Sequence, residues 1–122
     1  MTRSTRRTVF QVATGNVGSE MVVRLRDHPD LELVGLHCYS PDKIGRDAGD
    51  VVGIDPVGVI ATGSVDDIIA VSPDCVNFNG VWPDMDLFES VLEAGINVVS
   101  TADWITGHHR DRYHPECHAR RC

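Results

Sequence analysis

The sequence lacks the long apolar runs that characterise membrane-spanning proteins. No stretch of its 122 residues approaches the roughly 20 consecutive apolar residues that cross a bilayer. The basic N-terminus leads directly into a short apolar run, with no longer hydrophobic segment and no small-residue cleavage site after it. We therefore expect no membrane partner, no secretory signal and a cytoplasmic location.

An excess of positive charge and a disulfide pattern are also missing. The net charge of −7 argues against general nucleic-acid binding, although local donors could still hold a phosphate. The four cysteines show no small-scaffold pattern, so we expect them to be reduced. Cys38 and Cys75 fall on predicted strands and are expected to be buried.

Several common site motifs are absent as well. The chain has no G-x-x-x-x-G-K-[ST] loop and no nucleophile elbow with a Ser-His-Asp order. Nitrogen and sulfur ligands do cluster near the C-terminus, but their spacing matches no standard zinc motif, so no metal site is predicted. These residues are His114, Cys117, His118 and Cys122.

The most informative pattern is at residues 9–18, which read VFQVATGNVG. The apolar run suits a buried parallel strand, and a helical pattern follows at once. Its apolar positions fall mostly on one face of that helix. They are Val17, Met21, Val22 and Leu25.

The turn between this strand and helix reads A-x-G-x-x-G, a variant of the dinucleotide-binding G-x-G-x-x-G. Ala13 replaces the first glycine, and a small residue fits there if its φ is negative. Gly15 lets the backbone approach a pyrophosphate, and Gly18 lets the helix lie close to the strand. The helix N-terminus offers free N–H groups to phosphate. The alternative is an ordinary tight strand-to-helix turn.

Further strands and helices alternate along the chain. Strands are predicted at 31–38, 57–61, 75–78 and 96–100. Helices are predicted from Ser64 to before Pro73, and from Asp84 or Asp86 to Gly95. This order indicates a doubly wound parallel sheet of about five strands, with ligands at the carboxyl ends of the strands. The segments that follow the strands are 14–18, 39–43, 62–63, 79–81 and 100–103.

The end of the second predicted strand bears on the choice of dinucleotide. An NAD-binding domain usually ends that strand with a carboxylate, but here it ends His-Cys-Tyr-Ser. Tyr39 could stack on adenine. The candidate ligands of a 2′-phosphate are Ser40, Lys43 and Arg46. We therefore predict a preference for NADP(H) over NAD(H). In the alternative reading, the two basic residues form a solvated surface paired with Asp42 and Asp47.

Taken together, the glycine turn, the SPDKIGRDAG loop, the NFNG segment and the GINVVST segment resemble the N-terminal domain of the dihydrodipicolinate reductase-like proteins. The sequence is most similar to their 2,4-diaminopentanoate dehydrogenase and native amine dehydrogenase relatives, over about residues 8–110. The resemblance implies a Rossmann-like α/β domain that binds NAD(P)H. It also implies a second α+β domain that supplies much of the substrate pocket and the homodimer contact.

The resemblance assigns roles to residues of this sequence. Gly15, Asn16, Val17 and Gly18, next to Thr14, would meet the pyrophosphate. Ser40 and Lys43 would meet the ribose or its phosphate. Asn79 and Gly80 would lie near the nicotinamide ribose, and Ser100 and Thr101 would border the nicotinamide. The complete enzyme would pass hydride between NADPH and the carbon of a small imine or amine substrate.

Two departures from the family shape the prediction. The amine dehydrogenase-like relatives carry a Glu soon after the fifth strand, where this chain has Asp103 as its candidate catalytic carboxylate; a loop or cap role is the alternative. The chain also ends at Cys122, which we interpret as a truncated or frame-disrupted product. We predict a disordered basic tail at 1–7, an NAD(P)-binding domain at 8–110 and a polar tail, helical or aberrant, at 111–122.

We therefore predict a chain that binds the cofactor without efficient turnover and that dimerises only with the missing domain. The alternative function is a non-catalytic NAD(P)-sensing or binding module.

Overall fold

The computed structural model describes residues 6–80 and 84–101. Among these residues, no helix has both the length and the apolar character that crossing a bilayer requires. The elements in chain order are β1 (Arg7–Val12), α1 (Asn16–Arg26), β2 (Leu31–His37), α2 (Ala48–Val52), β3 (Ala61–Thr62), α3 (Val65–Val71), β4 (Cys75–Phe78), α4 (Met85–Glu93) and β5 (Asn97–Ser100).

The five strands form one parallel sheet in the order β3-β2-β1-β4-β5. The chain builds outward from β1 to β3 and then crosses to the other side of β1. The strand order therefore reverses between β1 and β4, where Val12 pairs with Phe78. This is the Rossmann-like doubly wound sheet that the sequence predicts.

Helices cover the two faces of this sheet with separate apolar clusters. On one face, Val22 and Leu25 of α1 pack with Val9 and Leu36 of the strands. On the other, α3 and α4 cover alternate strand residues, including Phe78, whose ring meets that of Phe88 edge-on with centroids 4.8 Å apart. Burying a side chain of this size stabilises the fold by roughly 1.5–3 kcal/mol.

Local sequence signals set the helix ends as predicted. The Ser64 hydroxyl accepts a hydrogen bond from the Asp66 N–H, and the Asp84 carboxylate accepts one from the Leu87 N–H. Gly95 adopts a φ of 83° just after α4, which favours glycine. These contacts confirm the predicted starts of α3 and α4 and the predicted end of α4.

The third strand is shorter than predicted: β3 covers two residues instead of 57–61. The N–H groups of Val57 and Gly58 donate to the carboxylate of Asp47, at 2.8 Å each. Gly58 also has a φ of 83°. A side chain therefore occupies the donors that a neighbouring strand would need, and the backbone turns before Ala61.

Candidate functional site at the carboxyl edge of the sheet

The segments that follow β1, β2, β4 and β5 meet at one edge of the sheet because all the strands run parallel. Hydrogen bonds connect them directly. The N–H of Ala13 donates to the carbonyl of His37, and that of Asn79 to the carbonyl of Val12. The Thr101 N–H donates to the carbonyl of Phe78. The predicted cofactor-binding residues thus lie on this edge, whereas Asp103 and the C-terminal His and Cys residues lie outside the described part of the chain.

The glycine turn begins with an unexpected backbone conformation. Ala13 has a φ of 76°, so the requirement for a negative φ at this position is wrong. Alanine here adopts the left-handed conformation that glycine populates more readily, at a cost of about 1 kcal/mol. The turn is held from both sides, because Ser19 Oγ donates to the Thr14 carbonyl at 2.8 Å and Gln11 Nε2 donates to the Ala13 carbonyl at 3.1 Å.

The two glycines of the motif have different surroundings. A Cβ placed on Gly18 would collide with the carbonyl of Ala13, which confirms that α1 lies close against the end of β1. A Cβ placed on Gly15 would have no neighbouring atom within 4 Å. Packing within the described fold therefore accounts for Gly18, whereas Gly15 borders open space.

Gly15 is also the N-cap of α1, with no side-chain hydrogen bond to the first N–H groups. The first turn carries no acidic residue, so nothing on it offsets the positive end of the helix dipole. Val17 is 51% exposed beside this N-terminus. The result is an open, electropositive end of a helix, with the backbone of a glycine facing outward.

Polar side chains from the segment after β2 reach towards this turn. Lys43 Nζ donates to Thr14 Oγ1 at 3.1 Å, which places a positive charge beside the glycine turn. Arg46 instead pairs with α2, because its Nε donates to Asp50 Oδ2 at 2.7 Å. Asp47, the other proposed partner of these basic residues, is engaged by backbone N–H groups.

The aromatic side chain of this segment is anchored across the edge. Tyr39 is about half exposed, and its hydroxyl donates to Asp84 Oδ2 at 2.7 Å. Burial and this hydrogen bond raise the pKa of Tyr39, so the hydroxyl stays protonated as a donor. The ring of Tyr39 packs edge-on against that of His37, with the ring centroids 4.9 Å apart. The ring is therefore held between the segment after β2 and the start of α4.

Two buried titratable groups lie beneath this segment. Burial lowers the pKa of His37, whose Nδ1 has no hydrogen-bond partner, so the imidazole is neutral at pH 7. Burial also raises the pKa of the Cys38 thiol, although its contact with Thr14 opposes the shift. Cys38 is accordingly an unreactive buried thiol, as the sequence predicts, whereas Cys75 is only partly buried.

Two buried amide residues at the site, Gln11 and Asn77, are not among the residues predicted from the sequence. They lie opposite each other on β1 and β4, and Asn77 Nδ2 donates to Gln11 Oε1 at 2.9 Å. A signal was present, because each is a polar residue within an apolar run, VFQV in β1 and CVNF in β4, that ends at the site. Buried polar side chains must find hydrogen-bond partners, so such residues point to a polar network.

A separate hollow lies elsewhere, on the α1 side of β4 and β5. Its volume is about 620 Å³, and its lining includes Arg7, Met21, Asn97 and Val99. None of the segments that follow the strands contributes to it. Among the described residues, no group of three or more His, Cys, Asp or Glu side chains is placed to hold a metal ion.

Comparison with known sequences supports a relationship to two groups of oxidoreductases. No protein-family model matches the chain. It is 34% identical over 104 residues to an amine dehydrogenase from Streptomyces virginiae, covering 80% of this chain and 29% of that protein. It is 41% identical over 51 residues to a 4-hydroxy-tetrahydrodipicolinate reductase from Synechocystis, covering 42% of this chain and 18% of that protein. The chain thus spans less than a third of these relatives.

Solved structures show the same fold. An amine dehydrogenase from Mycobacterium smegmatis superposes with a TM-score of 0.65 at 23% identity, covering 84% of this chain and 31% of that one. RSP in complex with β-NADH superposes with a TM-score of 0.59 at 15% identity, covering 80% and 46%. The chain is therefore similar in sequence to amine dehydrogenase and to 4-hydroxy-tetrahydrodipicolinate reductase, and it has a Rossmann-like fold.

Proposed function

We propose that this chain is the NAD(P)H-binding part of a dihydrodipicolinate reductase-like oxidoreductase. The observation that carries this proposal is the open space beside Gly15, at an uncapped helix N-terminus where the strand order reverses. A pyrophosphate fits there because backbone N–H groups and the helix dipole favour an anion. The turn residues Thr14, Gly15, Asn16, Val17 and Gly18 are the proposed pyrophosphate site.

The segments on either side of the turn would take the two halves of the dinucleotide. In this fold the adenosine ribose lies beyond β2, so Tyr39, Ser40 and Lys43 are the proposed adenosine side. The nicotinamide half then lies beyond β4 and β5. The residues there are Asn79, Gly80, Ser100 and Thr101. The bound cofactor supplies the hydride chemistry, and the protein orients it and shapes its surroundings.

We propose that NADP(H) is preferred over NAD(H). Lys43 supports this preference because it is the basic side chain that contacts the glycine turn, through Thr14. The segment after β2 places no carboxylate before Asp42, which is exposed. A 2′-phosphate beside Lys43 would accept a hydrogen bond between two opposite charges. The hydrogen bond from Lys43 to the neutral 2′-hydroxyl of NAD(H) would be weaker.

Calorimetric titration of the chain with NADPH and with NADH tests both proposals. Wild-type protein should bind NADPH more tightly. Lys43→Ala should weaken NADPH binding about tenfold, the value of a hydrogen bond to a charged group, with little effect on NADH. Arg46→Ala is the matched control. It also removes one positive charge from the segment after β2, but the charge of Arg46 is already paired with Asp50. Tighter binding of NADH, or equal losses for both cofactors in Lys43→Ala, would contradict the NADP preference.

The substrate of the whole enzyme is proposed to be a small amine or imine, because a 34% identical relative is an amine dehydrogenase. Since this chain spans 29% of that relative, we expect cofactor binding without efficient turnover and no homodimer from this chain alone. Asp103 remains the proposed catalytic carboxylate. Robust NADPH-dependent imine reduction by the 122-residue chain would overturn the expectation of weak turnover.

A second candidate function is a non-catalytic module that senses the NAD(P)H ratio. It is favoured by the shared fold with RSP, which was solved with β-NADH and is a Rex-family repressor. That likeness extends only to the fold, at 15% identity or less. Tight NADH binding with no preference for NADPH would favour the sensing module.

A further inference from the structure

Three neutral amide side chains form a connected group at the carboxyl edge, beneath the proposed cofactor site. This amide cluster consists of Gln11 on β1, Asn77 on β4 and Asn79 immediately after β4. Gln11 is fully buried, Asn77 is 8% exposed, and Asn79 is half-buried at the edge itself. The two buried members bond each other, because Asn77 Nδ2 donates to Gln11 Oε1.

Backbone groups determine which way each amide points. Gln11 Nε2 lies 3.2 Å from the carbonyl of Val12 and 3.1 Å from that of Ala13. A carbonyl oxygen can only accept, so the NH2 group of Gln11 must face these atoms. Gln11 Oε1 therefore faces Asn77 and accepts from its Nδ2 at 2.9 Å.

Gln11 and Asn77 in turn determine the orientation of the Asn79 side-chain amide. Its Oδ1 accepts from Gln11 Nε2 at 2.8 Å and from Asn77 Nδ2 at 2.9 Å. Two buried donors thus hold this oxygen inward, and the NH2 group of Asn79 must point outward. There it lies 3.2 Å from the hydroxyl oxygen of Thr101, between the ends of β4 and β5.

We propose that Gln11 and Asn77 are positioning residues that present the Asn79 NH2 group as a hydrogen-bond donor to the nicotinamide half of the dinucleotide. This inference rests on the proposed function, because it assumes that a dinucleotide lies across this edge. The side of the edge follows from the fold, since the adenosine half lies towards β2. The matching atoms on the ligand are acceptors, such as ribose or carboxamide oxygens.

Ligand binding to a Gln11→Met variant tests this role. Methionine keeps the length of the side chain but removes both the donor and the acceptor. NADPH should bind about tenfold more weakly, because the donor of Asn79 is no longer oriented. Adenosine 2′,5′-bisphosphate, which lacks the nicotinamide half, should bind within about twofold of wild type.

Thr8→Val is the matched control. Thr8 lies on the same strand, and its hydroxyl also makes hydrogen bonds, but these join Asp74 at the opposite edge of the sheet. Its affinity for both ligands should match that of wild type. Equal weakening of both ligands in Gln11→Met would indicate a general structural effect and overturn the positioning role, as would an unchanged NADPH affinity.

Proton exchange of the side-chain amides in the wild-type protein provides a test that needs no variant and no ligand. The NH2 groups of Gln11 and Asn77 should exchange at least about tenfold more slowly than that of Asn79, because they face inward. Slow exchange at Asn79 with fast exchange at the other two would reverse the assigned orientation and refute the proposal.

These outcomes separate the two hypotheses. Failure of folded wild-type protein to bind NADPH would overturn the proposed function, and with it the ligand assigned to Asn79. NADPH binding by wild type with an unaffected Gln11→Met variant would leave the proposed function standing and overturn the positioning role alone.

Discussion

The two motif glycines should respond differently to the same substitution. Gly15→Ala adds a methyl group where no atom of the described fold lies within 4 Å, and the φ of −69° at this N-cap suits alanine. The remaining cost is the poorer N-cap, about 1 kcal/mol or less. We therefore expect the free energy of unfolding to stay within about 1 kcal/mol of the wild-type value.

Cofactor binding by the same Gly15→Ala variant should nevertheless fall. The added methyl group would occupy the open space beside Gly15, through which a pyrophosphate would approach the backbone in the proposed site. Overpacking of this kind costs about 1–3 kcal/mol. This corresponds to a roughly 5- to 150-fold rise in the Kd for NADPH.

Gly18→Ala is the matched comparison, because its methyl group would collide with the backbone of Ala13 within the fold itself. The overpacking cost exceeds the gain in helix propensity of about 1 kcal/mol, so we expect a net loss of stability near 2 kcal/mol. Urea unfolding and calorimetric titration of both variants measure these effects. Wild-type NADPH affinity in Gly15→Ala, or full stability in Gly18→Ala, would refute the reasoning.

Two further predictions concern the turn and the buried imidazole. Ala13→Gly should raise the free energy of unfolding by up to about 1 kcal/mol. Glycine removes the strain of the positive φ at Ala13, and this gain exceeds the cost of the greater conformational entropy that glycine gives the unfolded chain. A lower free energy of unfolding in urea would contradict this prediction. Burial lowers the pKa of His37 in the folded state, against the opposing charges of Asp84 and Asp67. The unfolded chain therefore takes up the proton first, and stability falls as the pH drops below about 6.5. His37→Phe should lose less stability than wild type between pH 7 and pH 5, and an identical decrease would count against this assignment.

The alternation of apolar runs with glycine and capping residues predicts most of the fold. The strands at β1, β2, β4 and β5 and the caps at Ser64 and Asp84 depend on short-range patterns, and the structure confirms them. The third strand depends on a long-range contact instead. The Asp47 carboxylate takes the N–H groups that a strand at 57–61 would have used, and nothing near residue 57 signals this.

The candidate site shows the same division. The glycine turn and the residues after each strand are readable from sequence because strand ends mark the edge of the sheet. The conformation of Ala13 is not readable, since alanine favours a negative φ and only the surrounding hydrogen bonds hold it otherwise. The partner of Arg46 also depends on the position of α2, which brings Asp50 within 2.7 Å.

Mapping of NADPH binding by the backbone amide chemical shifts of the 122-residue protein tests the central claim most directly. We predict that the largest shifts fall at the carboxyl edge, on Gly15, Asn16, Lys43 and Asn79, with little change at Thr8 and Asp74 on the opposite edge. Shifts concentrated at the opposite edge or around the hollow beside β5, or no shifts at saturating NADPH, would contradict a dinucleotide site at the glycine turn.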